Sequence, residues 1–130
     1  MDAIKNQQGA VRYGVGDHEE RPWGNWRVVD AGPTYISKRV EVSPGHRLSL
    51  QYHRHRSEHW VIVAGRGEAT VADTKIEVTP GDYVVIPCGA THRIHNTGTE
   101  PLVFVEVQYG DLLDESDITR LEDDYSRSQV

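Results

Sequence analysis

Histidines are concentrated in one short segment of this sequence. His53 and His55 are separated by one residue, and Glu58 and His59 follow closely. Side chains two residues apart on a β-strand project from the same face, so His53 and His55 could bind one metal ion together. Imidazole nitrogens combined with a carboxylate oxygen suit Zn, Mn, Fe or Ni, and the sequence does not select among these metals.

Another histidine lies on a different predicted strand. His92 follows a tight turn at Pro87 and Gly89 and begins a short β-rich run. A single histidine that points inward from this second strand could meet His53 and His55. The spacing therefore favours a metal site built from two separate parts of the chain.

Short β-rich runs alternate with turn-forming residues along most of the chain. Many short strands at such spacing are typical of an antiparallel sandwich or barrel, so we predict an all-β fold. Residues 1–20 have no hydrophobic period, and we expect a loosely ordered leader there, part of which could pair as an edge strand. Residues 21–130 form the predicted domain. Its short tail, residues 115–123, is expected to be helical or irregular, with Ser116 as a candidate N-cap.

Alternation over residues 47–55 separates a polar row from an apolar row. The polar row comprises Arg47, Ser49, Gln51, His53 and His55, and the apolar row comprises Leu48, Leu50 and Tyr52. The polar row either faces solvent or lines a cavity inside a barrel, and the paired histidines favour the cavity. In the run 35–42, Lys38 is the lone cation on an apolar face. It needs an anionic partner, either a carboxylate such as Glu106 or an anionic group of a ligand.

Composition limits the class of protein. With 130 residues the chain has room for one domain. A net charge of −6 argues against binding to nucleic acid or to an anionic membrane surface. Cys88 is the single cysteine and cannot form an internal disulfide, and no apolar run approaches the roughly 20 residues of a membrane-spanning helix. Because no signal-peptide pattern is present, we expect a cytoplasmic protein.

The sequence resembles the cupin superfamily, small β-barrels with a metal site in the barrel mouth. The second cupin motif is matched by Gly81, Pro87, Gly89, His92 and Asn96. The first motif is matched by His53 and His55, but the position of its acidic ligand is ambiguous. Counting back from Gly65 selects Glu58, and counting forward from His55 selects His59. Strand alternation favours His59, whereas a bulge near Ser57 favours Glu58, so both stay open.

A narrower resemblance covers residues 21–127. The chain is similar to the C-terminal cupin domain of type II mannose-6-phosphate isomerases, which often follows a mannose-1-phosphate guanylyltransferase domain. The residues that carry this resemblance are Arg21-Pro-Trp-Gly24, Lys38-Arg39, Arg47-Leu-Ser-Leu-Gln51, His55-Arg-Ser-Glu-His-Trp60, Thr91-His92-Arg93, Glu106-Val-Gln108 and Asp123-Asp-Tyr125. The resemblance implies a single cupin barrel, also called a double-stranded β-helix or jelly roll. No glycine-rich nucleotide loop is present, so we expect no guanylyl transfer.

The resemblance also implies a reaction, the interconversion of mannose 6-phosphate and fructose 6-phosphate through an enediol. This chemistry needs a Lewis acid, a base and cations for the phosphate. The implied ligands of a divalent metal ion are His53, His55, Glu58 and His92. Whichever of Glu58 and His59 is not a ligand becomes the candidate base, and Lys38 is a further catalytic candidate. Lys38 and Arg56 are the candidates for the phosphate, and Gln51 could bind the metal or the sugar hydroxyls.

Two other functions remain open. A cupin without its usual partner domain could bind sugars or act in regulation without turnover, and the same ligands would also suit a cupin dioxygenase. We expect a homodimer, because the apolar row of Leu48, Leu50 and Tyr52 and the apolar run 60–64 are predicted to face outward. The sugar phosphate and a second copy of the chain are therefore the expected partners.

Overall fold

Alternating apolar side chains give this protein a series of short strands. The structure, a computed structural model, describes residues 13–113 and 116–125. Within these residues it contains strands and turns but no helix. The strands are β1 (His18–Arg21), β2 (Gly24–Ala31), β3 (Tyr35–Val42), β4 (Leu50–Tyr52), β5 (Arg56–Ala64), β6 (Gly67–Val71), β7 (Thr74–Val78), β8 (Tyr83–Ile86), β9 (His92–Asn96), β10 (Leu102–Gly110) and β11 (Thr119–Glu122).

The strands form two antiparallel sheets that share one core. The first sheet has the order β1-β2-β3-β10-β5-β8, and the second has the order β11-β4-β9-β6-β7. Ile62 and Phe104 from the first sheet and Ala69 and Ile94 from the second belong to the same fully buried cluster. The predicted all-β antiparallel architecture is confirmed.

The interior changes from apolar to polar along β5 and β10. In the antiparallel ladder between these strands, Ile62 lies opposite Phe104, Trp60 opposite Glu106, and Glu58 opposite Gln108. All of these side chains are buried. One end of the space between the sheets is therefore lined with charged and amide groups, and the functional site lies there.

The chain bends between β4 and β5. We expected the strand alternation to continue over residues 47–55, but β4 ends at Tyr52 and residues 53–55 leave the extended conformation. Two backbone hydrogen bonds hold the bend, since Gly89 N–H donates to the carbonyl of His53 (2.8 Å) and Asp111 N–H donates to that of His55 (3.1 Å). The period-two rule does not extend through such a bend.

Part of the C-terminal segment pairs as a strand, which corrects the expectation that residues 115–123 are helical or irregular. Residue 115 lies outside the described residues, and Ser116 lies in a turn. β11 then pairs with β4, with Thr119 opposite Tyr52 and Arg120 opposite Gln51. Pairing with an exposed sheet edge outweighs the weak helix propensity of so short a segment.

At the other end of the chain, β1 forms an edge strand. It lies within the segment expected to be a leader, and it pairs with β2, Glu19 lying opposite Trp26. Residues 1–12 lie outside the described residues. In the described part of the chain, no helix has the length and apolar character required to cross a membrane.

Candidate metal centre and cavity

Three buried side chains converge at the polar end of the interior. Each of His53, Glu58 and His92 offers one ligand atom, and these atoms lie within 4.8 Å of one another. His53 follows β4, Glu58 is the third residue of β5, and His92 is the first residue of β9. The site therefore joins the two sheets, and it holds three of the four predicted ligands.

The ring of His53 is oriented by the segment that precedes β11. Its Nδ1 lies 2.6 Å from the backbone carbonyl of Asp117, which can only accept a hydrogen bond. The Asp117 carboxylate accepts the backbone N–H of Arg54 (2.8 Å) and that of His55 (2.9 Å). The Nδ1–H of His53 is therefore fixed by this carbonyl, and its Nε2 faces Glu58.

His92 has the same arrangement of ring nitrogens. Its Nδ1 donates to the carbonyl of Ala90 (3.0 Å), and its buried Nε2 has no hydrogen-bond partner among the described residues. Burial lowers the pKa of His92, which favours the neutral ring. In both histidines Nδ1–H is thus fixed by a backbone carbonyl and Nε2 faces the site, as is usual for histidine ligands of metals.

Glu58 carries the negative charge of the site. Arg56 Nε donates to Glu58 Oε2 (3.0 Å), and Arg56 Nη2 lies 2.9 Å from the same oxygen. Trp60 Nε1 donates to Glu58 Oε1 (3.0 Å). Burial alone would raise the pKa of Glu58, but the charge of the Arg56 guanidinium beside it outweighs burial and holds this pKa well below its usual range. The carboxylate is therefore ionised, as a metal ligand must be.

Arg56 also reaches the second ligand. Its Nη2 lies 3.2 Å from His53 Nε2, and that Nε2 lies 3.1 Å from Glu58 Oε2. Arg56 thus places a positive charge beside both ligand atoms. The side chain is buried at 5 % exposure, so Arg56 belongs to the interior and not to the solvated surface.

The residues fit a divalent metal ion. Two Nε2 lone pairs and one ionised carboxylate form a common ligand set for Zn, Mn, Fe or Ni. The unpaired Nε2 of His92 is the most direct sign of an absent partner, because buried polar atoms are normally satisfied. A metal ion bound here would share Glu58 with Arg56.

Two of the predicted site histidines lie elsewhere. The bend turns the side chain of His55 away from His53, so it is 49 % exposed. Its Nδ1 lies 3.4 Å from Asp111 Oδ1. His59 is exposed on the outer face of β5, between Val85 and Val107 of the neighbouring strands. The prediction that His55 is a metal ligand is therefore corrected, and so is the alternative that His59 is one. Neither side chain reaches the site.

The remaining predicted residues line one cavity beside the ligands. Gln51, Lys38 and Arg56 all border this cavity, which opens to solvent and has a volume of about 70 Å³. Gln51 lies directly opposite His92 in the ladder between β4 and β9. It is thus placed on the same face as a ligand, as its spacing from His53 predicted.

Lys38 is buried in the interior and is not a surface side chain. It is 5 % exposed, and its Nζ is 4.0 Å from the ring centres of both Tyr13 and Trp26. Lys38 lies opposite Glu106 in the ladder between β3 and β10. The cation on the apolar face therefore has both aromatic rings and a carboxylate beside it.

Several cavity residues were not assigned from the sequence. They are Arg21, Ser49, Gln108 and Arg120, together with Glu106, which we considered only as a partner of Lys38. Gln108 and Glu106 alternate on β10 in the same way as Glu58 and Trp60 on β5, so alternation was the signal for them. Ser49 Oγ and Gln108 Oε1 are buried and have no hydrogen-bond partner among the described residues. Such atoms suit a ligand that carries hydroxyl groups.

Comparison with known sequences identifies relatives along most of the chain. A family model described as "Mannose-6-phosphate isomerase C-terminal" matches residues 10–123. The chain is 46 % identical over 108 residues, 83 % of its length, to the xanthan biosynthesis protein XanB of Xanthomonas campestris pv. campestris (strain B100). It is 45 % identical over 127 residues, 96 % of its length, to the alginate biosynthesis protein AlgA of Pseudomonas aeruginosa (strain PAO1). The chain spans about a quarter of the length of these relatives, 23 % of the first and 26 % of the second.

Comparison with solved structures supports the same fold. The oxalate decarboxylase of Lactobacillus farciminis superposes with a TM-score of 0.70 at 27 % identity, covering 81 % of this chain and 33 % of that one. The cupin-2 domain protein Rru_A2000 of Rhodospirillum rubrum gives a TM-score of 0.65 at 27 % identity, covering 78 % of this chain and 77 % of that one. The predicted cupin barrel is confirmed.

Proposed function

We propose, from the premise that this chain belongs to the mannose-6-phosphate isomerase C-terminal family, that it interconverts mannose 6-phosphate and fructose 6-phosphate through an enediol. The observation that carries the proposal is the buried group of His53, Glu58 and His92 beside a cavity of cations and unpaired polar atoms. An aldose–ketose isomerase needs this combination of a Lewis-acid site, a dry interior and polar groups for a sugar phosphate.

The three converging residues would hold the metal ion. His53 and His92 would bind it through Nε2 and Glu58 through its carboxylate, and Gln51 is close enough in register to His92 to add an amide oxygen. A bound divalent ion would polarise the carbonyl and hydroxyl oxygens at C1 and C2. Asp117 and Ala90 would keep the two rings aligned, because each accepts the Nδ1 proton of one histidine.

The cations of the cavity divide into an inner pair and an outer pair. Lys38 and Arg56, our candidates from the sequence, lie beside the buried carboxylates Glu106 and Glu58. They would lower the cost of bringing a phosphate dianion into an acidic protein. Direct phosphate binding is better supported for the outer cations, because they are half-buried at the cavity, whereas Lys38 and Arg56 are buried.

The outer cations are Arg21 and Arg120, which border the cavity from opposite sheets. Arg120 lies opposite Gln51, and Gln51 lies opposite His92, so Arg120 is two strands from the ligand. Neighbouring strands are about 4.8 Å apart, which puts the two backbones about 10 Å apart. A phosphate held between Arg21 and Arg120 would leave C1 and C2 of an extended hexose near His92.

A second candidate function is favoured by one contact. Arg56 contacts both His53 and Glu58, so the polar atoms of the cluster have partners in part without a metal. This arrangement would suit a sugar-binding or regulatory cupin without turnover. Within residues 13–113 and 116–125, no contact favours the oxidative alternative, a dioxygenase. Oxygen consumption is therefore measured in the test as well.

The test is an isomerisation assay on the purified chain loaded in turn with Zn, Mn, Fe and Ni. Proton and phosphorus NMR would follow mannose 6-phosphate and fructose 6-phosphate, and an oxygen electrode would follow O₂. We expect turnover in both directions without oxygen uptake, and a loss of at least 100-fold in His92→Ala but not in His59→Ala. Saturable binding of the sugar phosphate without turnover under any metal would instead identify the non-catalytic cupin.

A further inference from the structure

We infer that Glu106 is the group that moves the proton between C2 and C1 of the substrate. This inference rests on the proposed isomerase function and assigns within it a role that the sequence did not give to Glu106. The argument depends on where the carboxylate lies, what orients it and which charges face it.

Glu106 lies beside the metal ligands without being one of them. It is opposite Trp60 in the ladder between β10 and β5, and Glu58 lies opposite Gln108, so Glu106 and Glu58 are diagonal neighbours. Diagonal neighbours on one face of a sheet are about 7 to 8 Å apart. A substrate carbon whose oxygen reaches the Glu58 side of the cavity would therefore lie within reach of the Glu106 carboxylate.

The carboxylate is held in one orientation inside the cavity wall. Gln108 Nε2 donates to Glu106 Oε2 at 2.6 Å, and Glu106 is 7 % exposed. The same hydrogen bond leaves Gln108 Oε1 without a partner among the described residues, so it is available for a substrate hydroxyl. Glu106 and Gln108 together thus offer a base and a hydroxyl acceptor on adjacent inward positions of β10.

The charges that face Glu106 suit a group that both accepts and donates a proton. Burial and the charge of Glu58 raise the pKa of Glu106 to about 7, while Lys38 on β3, Arg56 on β5 and the Gln108 hydrogen bond act in the opposite direction. A carboxyl whose pKa lies near the working pH is efficient in both directions. Glu58 does not have this property, because Arg56 keeps it ionised.

The proposed step conserves atoms and electrons. Glu106 removes the proton on C2 of mannose 6-phosphate, the C2–H electron pair becomes the C1=C2 bond, and the carbonyl pair moves onto O1. The O2 hydroxyl proton passes to O1. The O2 electron pair then forms the C2 carbonyl, and the C1=C2 pair takes the proton back from Glu106 at C1. No oxidant or reductant is required.

The test compares Glu106→Gln and Glu106→Asp with the wild-type, metal-loaded chain. Glu77→Gln, an exposed carboxylate on β7, is the matched control. We expect Glu106→Gln to lose at least 100-fold in kcat, with KM and metal content close to wild type and no fall in melting temperature. Exchange of the substrate C2 hydrogen with D₂O should be lost in parallel, and Glu106→Asp should recover at least tenfold over Glu106→Gln.

Other results would overturn the inference. Glu106→Gln with kcat within threefold of wild type, or a loss that appears as weaker metal binding, would do so. If Glu106→Gln does not fold, Glu106→Asp decides, since an unchanged kcat refutes the role and a lowered kcat at constant KM supports it. A wild-type chain that binds metal but does not isomerise would refute the proposed function itself, and this inference with it.

Discussion

His53 donates its Nδ1 proton to the backbone carbonyl of Asp117, 2.6 Å away and 64 residues further along the chain. The same aspartate uses its carboxylate to accept the backbone N–H groups of Arg54 and His55. One residue near the C-terminus therefore fixes both the bend after β4 and the ring of a candidate metal ligand. The orientation of the site depends on β11 being paired with β4.

Asp117→Ala should weaken both the fold and the site. The substitution leaves two backbone N–H groups without their acceptor, which costs about 1 to 3 kcal/mol of the free energy of unfolding. Metal affinity should fall at least tenfold, because the bend no longer holds His53 in place. Thermal melting and isothermal titration calorimetry would measure the two effects.

Asp124→Ala is the control for that experiment. Its carboxylate pairs with Arg47 at the exposed surface, and such a pair contributes about 0 to 1 kcal/mol. We expect little change in melting temperature and none in metal affinity. An Asp117→Ala protein that melted and bound metal like Asp124→Ala would contradict the role of Asp117.

Substitution of single histidines should separate the ligands from the outward residues. His53→Ala and His92→Ala each remove one Nε2 from the buried group, and we expect at least a tenfold loss of metal affinity in each. His55→Ala and His59→Ala remove exposed rings and should leave affinity unchanged. Metal content after dialysis, measured by mass spectrometry, would check this, and equal losses in all four variants would count against the assignment.

The free energy of unfolding of the metal-free chain should depend on pH through the ionisation of Glu106. Its pKa is raised from 4.5 to about 7 on folding, so between these values the folded carboxyl holds a proton that the unfolded one has lost. Stability supplied by this group is therefore present at low pH and decreases as pH rises through 7. The expected loss is on the order of a few kcal/mol.

Comparison with Glu106→Gln isolates this contribution. The lowered pKa of His92 acts with the opposite sign, since its folded ring loses its proton before the unfolded one, but this effect is common to both proteins. Urea unfolding at pH 5 and pH 8 should show that the stability of wild type relative to Glu106→Gln decreases at the higher pH. A difference that does not change with pH would contradict the raised pKa.

The outer face of β5, β8 and β10 should carry the expected homodimer contact. Val61, Val63, Tyr83, Val85, Val107 and Tyr109 are exposed there, whereas Leu48 packs against the core and Trp60 and Ile62 point inward. Of the apolar run 60–64, Val61 and Val63 therefore contribute to the exposed surface, whereas Trp60 and Ile62 do not. We propose this outer face, because most of the exposed large apolar side chains of the described strands lie on it.

A charge in that face should dissociate the dimer. Val61→Glu is expected to give a monomer by light scattering, whereas Ile76→Glu, on the exposed face of β7 in the other sheet, should leave the mass of wild type. A wild-type chain that is monomeric at high concentration would refute the homodimer.

Local spacing was sufficient to predict much of the site. Alternation on a strand predicted that Lys38 is a buried cation in an apolar row and that Gln51 shares a face with a ligand, and both features depend only on neighbours in sequence. The second cupin motif predicted an inward His92 for the same reason. The all-β architecture followed from the even spacing of turns.

The misplaced residues have one physical cause. His55 was assigned by extending the alternation of β4 past Tyr52, but the chain bends there because Asp117 and Gly89 hold its backbone groups. Restarting the count at Arg56 places Glu58 inward and His59 outward. Contacts with residues 64 positions away cannot be deduced from local periodicity, and the strand pairing of β11 was missed for the same reason.

The central claim is that one metal ion held by His53, Glu58 and His92 enables isomerisation. The most direct measurement is the rate of fructose 6-phosphate formation from mannose 6-phosphate as metal is titrated into the metal-free chain. The account predicts that the rate rises linearly and reaches a plateau at one ion per chain, and that His92→Ala shows no rise over the same range. A rate that does not depend on metal, or a plateau that His92→Ala reproduces, would contradict it.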